Sequence, residues 1–185
     1  MEKKCVVGFV GLPGSGKSTA LEAVKDLGTI VIMGDVVREE CKKRGLEINS
    51  KNMGEVSKML RKEFGSTIIA QKCVENIRSK KDKIIFVDGL RSMGEVKIFR
   101  KYWDFPIIAI ICDKEVRYKR MTLRGRADDT DNLKKLIERD ERELSFGVGD
   151  VIANADYKIN NDSDIESLMK NTRDIVLKIL DKKNS

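Results

Sequence analysis

Short apolar runs separated by amphipathic stretches set the pattern of this chain. Cys5-Val6-Val7-Gly8-Phe9-Val10, Thr29-Ile30-Val31-Ile32-Met33, Lys83-Ile84-Ile85-Phe86-Val87-Asp88 and Ile107-Ile108-Ala109-Ile110-Ile111-Cys112 are each of strand length and apolar nearly throughout. A strand buried on both faces reads this way, because neither side alternates with polar residues. Between these runs the apolar positions fall at helical spacing. Thr19 to Leu27 puts Ala20, Leu21, Val24 and Leu27 on one side, and Val36 to Lys43 is a further helix that stops near Gly45. Asn49-Ser50 caps the next, whose Met53, Val56, Met59, Leu60 and Phe64 share a face up to the break at Gly65-Ser66. Ile68, Ile69, Cys73, Val74 and Ile77 carry the pattern on to about Lys80.

The second half follows the same alternation. Ser92 with Glu95 forms a capping box for a helix running to about Tyr102, Lys114 to Leu123 is another helix, and Asn132 caps one over about 133–144. Tyr157-Lys158-Ile159 is a short last strand. Ser163 with Glu166 is a second capping box, opening a helix whose stripe of Ile165, Leu168, Met169, Thr172, Ile175, Val176, Ile179 and Leu180 reads as core packing. Apolar strands alternating with helices predict a parallel sheet covered on both faces. The expected fold is therefore a single three-layer α/β domain over residues 1–185, with about five strands. The helices between the second and third strands, at 36–80, form an insert with room for a second substrate.

The first strand runs directly into Gly11-Leu12-Pro13-Gly14-Ser15-Gly16-Lys17-Ser18, followed by Thr19, which fits the phosphate-binding pattern G-x-x-x-x-G-K-[ST] in full and in its strand, loop and helix context. Backbone N–H groups wrap a polyphosphate only where side chains are missing, hence Gly11, Gly14 and Gly16. The helix that follows turns its unpaired N-terminal donors towards the phosphates. Lys17 is then the charge that spans the β and γ phosphates, and Ser18 the hydroxyl on Mg²⁺. The expected cofactors are a nucleoside triphosphate and Mg²⁺.

Composition narrows the field. The chain has 185 residues, four cysteines, no histidine and a net charge of +7. The cysteines form no C-x-x-C pair, which argues against zinc and against a disulfide framework. Without histidine, any proton transfer falls to a carboxylate, a lysine or water. Lysine and arginine are interspersed with acids and aromatics are sparse, so a solvated mixed-charge surface accounts for the positive balance more simply than a nucleic-acid face. The longest apolar stretch, Ile107 to Cys112, is too short to span a bilayer, and nothing at the start reads as a signal peptide. The expectation is a cytoplasmic protein acting on a small molecule.

Ligands of parallel sheets bind beyond the carboxyl ends of the strands. There the chain places Gly34-Asp35 with Arg38, Asp88-Gly89 with Arg91, and the cluster Arg120, Arg124 and Arg126 ahead of Asp128-Asp129. Asp88 sits where an acid holds Mg²⁺ or its waters. Arg38 and Arg91 suit an incoming phosphate through their planar forks. Arg120 is assigned to the nucleotide, and Arg124 and Arg126 to charge developing on the transferred group, in a short lid at 120–132 hinged near Gly125.

These segments resemble the nucleoside monophosphate kinases, adenylate kinase in particular. Gly34-Asp35-Val36-Val37-Arg38 is similar to that family's G-D-x-x-R, whose arginine contacts the acceptor phosphate. Asp88-Gly89-Leu90-Arg91 is similar to its D-G-x-P-R, without the proline. Arg126-Ala127-Asp128-Asp129 resembles the lid's R-x-D-D, with Arg139 standing for the arginine of the next helix. Ala155-Asp156-Tyr157-Lys158-Ile159-Asn160-Asn161-Asp162 resembles the A-D-x-x-I-x-N segment of dephospho-coenzyme A kinases. Over nearly its whole length, including Glu143-Leu144-Ser145-Phe146-Gly147-Val148-Gly149, the chain resembles an archaeal family of P-loop proteins related to both. That resemblance implies the fold, triphosphate binding and ATP rather than GTP as the cofactor, and leaves the substrate open.

Three functions fit these residues. A kinase acting on a nucleoside monophosphate needs no general base, because its acceptor is already an anion. A kinase acting on a hydroxyl, as in dephospho-coenzyme A, needs an acid to take the proton, and Asp35 is the candidate. A slow ATPase acting as a switch or assembly factor would instead have a protein or RNA partner.

Overall fold

The computed structural model describes residues 4–124 and 133–184. Five parallel strands, β1 (Cys5–Val10), β2 (Thr29–Ile32), β3 (Ile84–Asp88), β4 (Ile107–Ile111) and β5 (Tyr157–Asn160), form one sheet in the order β2-β3-β1-β4-β5. The expected parallel sheet of about five strands is thus the one observed. Its alternation sorts side chains between two layers, as period-two geometry requires. Val6 and Val10 of β1, Ile85 and Val87 of β3, and Ile107 and Ala109 of β4 join one core cluster. Cys5, Val7, Phe9, Phe86, Ile108 and Ile110 join the other, where Phe9 meets Phe86 edge to face at 5.9 Å.

The first layer is closed by α2 (Gly34–Lys43), α3 (Ser50–Phe64), α4 (Ile68–Ser79), α5 (Met93–Arg100) and α8 (Val148–Ala153), and the second by α1 (Lys17–Glu22) and α9 (Ile165–Asn184). The remaining helices α6 (Lys114–Arg124) and α7 (Leu133–Ser145) carry a small cluster of their own, Tyr118, Met121 and Leu136. Asn49 caps α3 as expected, its side chain accepting from the Asn52 N–H at 2.9 Å.

Three local expectations need correction, and one helix stands where none is expected. The first helix ends at Glu22, and the chain reaches Leu27 through tighter i to i−3 turns (Val24 to Leu21, Leu27 to Val24), which hold Val24 in the core without a continuous helix. Half of the Ser92 capping box forms: Ser92 Oγ accepts from the Glu95 N–H at 3.3 Å. The Glu95 carboxylate turns to the Arg91 N–H at 2.8 Å and to Arg61 at 3.4 Å. The last helix is capped by Asp164, which accepts from the Ser167 N–H at 2.7 Å, one residue after the expected Ser163. The α8 helix was not foreseen. It is short and set between Gly147 and the turn at Asn154, but it buries Val148 and Val151. The cap at Asn132 lies outside the described residues.

Cys5, Cys41 and Cys73 are buried and only Cys112 is partly exposed. Burial pushes the Cys73 thiol up to about 12 and raises that of Cys5. Titration with a chromogenic disulfide is therefore expected to modify one thiol per native chain and all four after denaturation. Two or more rapidly modified thiols in the native protein would contradict this packing.

Candidate functional site

The register of the sheet brings three strand ends to one level. Asp88 pairs with Phe9 of β1 on one side and Ile32 of β2 on the other, and its carbonyl accepts from the Met33 N–H at 2.8 Å. The Gly11 to Ser18 loop leaves β1 at this edge and passes over it. Gly14 and Gly16 both have positive φ, 78° and 99°. A side chain at Gly14 would also meet the Arg117 carbonyl at 2.8 Å, and one at Gly16 would collide with the Asn161 amide. Gly14 and Gly16 are therefore required by both backbone conformation and space.

Around the loop lies a cleft of about 350 Å³. Gly11, Leu12, Pro13, Gly14, Ser15, Gly16, Lys17, Ser18 and Thr19 form its floor, and Gly89, Leu90 and Arg91 one wall. Arg120 and Met121 of α6 stand opposite, and Arg139, Glu143 and Val148 close the remaining side. Of the sequence-predicted residues, the loop, Arg91, Arg120 and Arg139 are thus brought together. Lys17 Nζ is paired with the Asp88 carboxylate, so the expected phosphate charge, which lines the cleft, meets the expected acid just beneath it, since Asp88 itself is not among the lining residues. Arg38 and Asp35 are placed differently: they pair with each other at the start of α2, both substantially exposed, and neither lines the cleft. No residue of the 36–80 insert lines it either. Arg126 and the Arg124 side chain, with Asp128 and Asp129, lie outside the described residues.

Two arms hold this geometry. Arg117 of α6 is buried with Asp140 of α7 in a two-pronged ion pair, one prong at 2.9 Å, and its Nη1 also donates to the Pro13 carbonyl at 2.9 Å. Tyr118 Oη donates to Asp140 at 3.1 Å, and burial together with that carboxylate raises the phenol's pKa. Arg120 donates to the Asn161 carbonyl at 2.9 Å and to the Ser163 carbonyl at 3.4 Å. On the other wall Arg91 lies over the Phe146 ring, 5.2 Å from its centre, with Glu143 3.5 Å from Nε. Sequence reasoning missed Arg117, Asp140 and the roles of Glu143 and Phe146. Glu143 and Phe146 stand in a segment that the family resemblance had marked, whereas Arg117 and Asp140 carried no local signal.

The donor set suits a nucleoside triphosphate with Mg²⁺: a glycine-built loop, one lysine, arginines on two walls, and oxygens at Ser18 and Asp88. Among the described residues no group of three His, Cys, Asp or Glu could hold a metal ion alone. No helix among them is long and apolar enough to cross a membrane.

Known proteins resemble the chain at two levels. The profile of a family described as an AAA domain matches residues 10–137. A UPF0200/UPF0201 protein of Archaeoglobus fulgidus is 43% identical over 94% of this chain, which spans only 55% of that longer relative. A UPF0200 protein of Methanosarcina mazei is 41% identical over 95% of this chain and 96% of its own length. Among solved structures, TT1252 from Thermus thermophilus aligns with a TM-score of 0.64 at 14% identity, covering 96% of this chain and 98% of that one. Shikimate kinase from Acinetobacter baumannii aligns with a TM-score of 0.60 at 14% identity, covering 100% and 97%. The structural likeness shows a P-loop kinase fold, and the sequence matches show that the chain belongs to the UPF0200 family of archaeal proteins.

Proposed function

We propose that the protein is a Mg²⁺-ATP-dependent phosphotransferase of the nucleotide kinase type, which moves the γ-phosphate of ATP to a nucleoside monophosphate. The observation that carries this reading is the convergence of Arg91, Arg120 and Arg139 with Lys17 on one cleft. A triphosphate neutralised by Mg²⁺, the loop and Lys17 does not call for arginines on both opposing walls. A second phosphate-bearing molecule does, because phosphoryl transfer brings donor and acceptor oxygens into line and spreads charge between them. Ser18 and Asp88 are assigned to Mg²⁺, Arg120 to the ATP phosphates, Arg91 and Arg139 to the acceptor. Arg124 and Arg126 retain their assignment to charge on the transferred group. Arg38, exposed and paired with Asp35, is assigned to the acceptor's outer edge.

One observation favours a hydroxyl acceptor as the second reading: Glu143 is a carboxylate on the cleft wall, and the removal of a hydroxyl proton needs one. Asp35, the acid expected for that role, stands outside the cleft wall. Asp35→Asn is accordingly expected to lower turnover by less than about fivefold, the effect of loosening an exposed ion pair. Near-complete loss would restore Asp35 as a general base and favour the hydroxyl acceptor. The deciding experiment follows ADP and product with Mg²⁺, ATP and AMP, CMP, UMP, GMP, dephospho-coenzyme A or no acceptor. Turnover dependent on a monophosphate supports the proposal. Dependence on dephospho-coenzyme A supports the second reading, and hydrolysis indifferent to every acceptor supports an ATP-driven switch instead.

A further inference from the structure

Asn161 lies in the segment after β5, far from the loop in sequence, yet it is almost fully buried against it. Its Nδ2 donates to the Ser15 carbonyl at 2.8 Å. Its own backbone is clamped on both sides: its N–H donates to the Ile111 carbonyl at 2.7 Å at the end of β4, and its carbonyl accepts from Arg120 at 2.9 Å. The side chain is thus presented to the loop from a fixed platform. The amide can take only one orientation here, since the reverse one would set its oxygen against the Ser15 oxygen. Its Oδ1 and the neighbouring Ser15 Oγ are both buried without a partner, so the arrangement is kept at a cost that solvation would otherwise remove.

A trans peptide is planar, with its C=O and N–H pointing in opposite directions. The Ser15 carbonyl and the Gly16 N–H belong to one such plane. By holding the carbonyl on the buried side, Asn161 turns the Gly16 N–H away from itself, and Gly16 lines the cleft. Among the described residues no backbone carbonyl accepts from that N–H. The collision that any side chain at Gly16 would make with the Asn161 amide shows how closely the two are fitted.

We propose that Asn161 is a positioning residue for the phosphate site: it sets the Ser15-Gly16 peptide so that the Gly16 N–H is aimed at the bound polyphosphate before the ligand arrives. The same residue's carbonyl anchors Arg120, so one position at the carboxyl edge of the sheet orients a donor on the floor and another on the wall. The proposal rests on the triphosphate reading of the loop.

The test compares binding of Mg-ATP and of Mg-tripolyphosphate, which has no base or ribose, to the full chain and to Asn161→Asp and Asn161→Ala by calorimetry, with thermal melts alongside. Asn161→Asp keeps the shape and replaces the donor by an acceptor. Asn161→Ala removes the donor without adding charge, and remains informative should the aspartate variant fail to fold. The expected result is a loss of roughly tenfold to a hundredfold, equal for the two ligands, because both are read through the phosphates. A loss for ATP alone would overturn the proposal and place Asn161 at the base. Unchanged affinities with a lowered melting temperature would reduce Asn161 to a packing role and overturn it equally. Failure of the unaltered chain to bind either ligand would instead refute the triphosphate reading on which it rests.

Discussion

Lys17→Ala is expected to lower phosphoryl transfer by on the order of 10²–10³-fold, the scale found when one preorganised charge or donor is removed from a developing anion. Lys17 is the sole lysine among the described cleft-lining residues and belongs to the floor, to which the β and γ phosphates of ATP are assigned in the proposed function. The arginines stand on the walls and are already engaged, Arg91 with Glu143 and Phe146, Arg120 with the carbonyls of Asn161 and Ser163. None of them reaches the floor without abandoning those partners. Lys17→Arg is therefore expected to rescue little, since a planar fork cannot replace a compact ammonium in the space beside Asp88. The fold should persist in both variants. Lys17 and Asp88 are each partly exposed, so water can take over the carboxylate, and a melting-temperature change of no more than a few degrees is expected. Steady-state assays with ATP and the acceptor identified by the panel, beside thermal melts, check both parts. Undiminished turnover in a folded Lys17→Ala protein would overturn the assignment of the site.

The parts of this site that could be read in the sequence are those whose physics is local. Four strands and the glycine loop are written in consecutive residues, because a strand buried on both faces needs an unbroken apolar run and a phosphate loop needs glycine at fixed intervals. The wall residues Arg91 and Arg120 were legible for a related reason: parallel topology fixes which strand ends face the ligand. Asp35 and Arg38 show the limit of that argument. They too follow a strand end, but β2 is an edge strand separated from β1 by β3, and they satisfy each other outside the cleft. Asn161 stood in a recognisable segment, yet nothing local revealed that its amide holds the Ser15 carbonyl, a contact across 146 positions. The α8 helix escaped because its few residues include glycine and its only strong signal is the pair Val148 and Val151, which becomes meaningful once the sheet is there to bury them. Arg117 and Asp140 escaped because each sits on a helix dense in charged residues, where a solvated surface is the simpler reading.

That buried pair carries the largest expected effect on stability. Arg117→Ala is expected to destabilise the protein by about 3–5 kcal/mol, because it strands the Asp140 carboxylate away from water. For a chain of this length that corresponds to a fall in melting temperature of roughly 6–20 °C. Asp140→Ala should cost a similar amount by stranding the guanidinium. Replacing both, as Arg117→Met with Asp140→Leu, should recover most of the loss, since two apolar side chains pack against Tyr118, Met121 and Leu136 with no charge left to desolvate. A double-mutant cycle by thermal or urea unfolding measures the coupling, and additive losses would show that the two charges do not depend on each other. Arg117 does one thing that the apolar pair cannot, which is to donate to the Pro13 carbonyl in the phosphate loop. The double variant should therefore regain stability without regaining full affinity for Mg-ATP, with a residual weakening of roughly fivefold to tenfold from the lost charged hydrogen bond. Recovery of both together would mean that the pair holds α6 to α7 and nothing more; recovery of stability alone would mean that α6 also braces the loop on which the triphosphate rests.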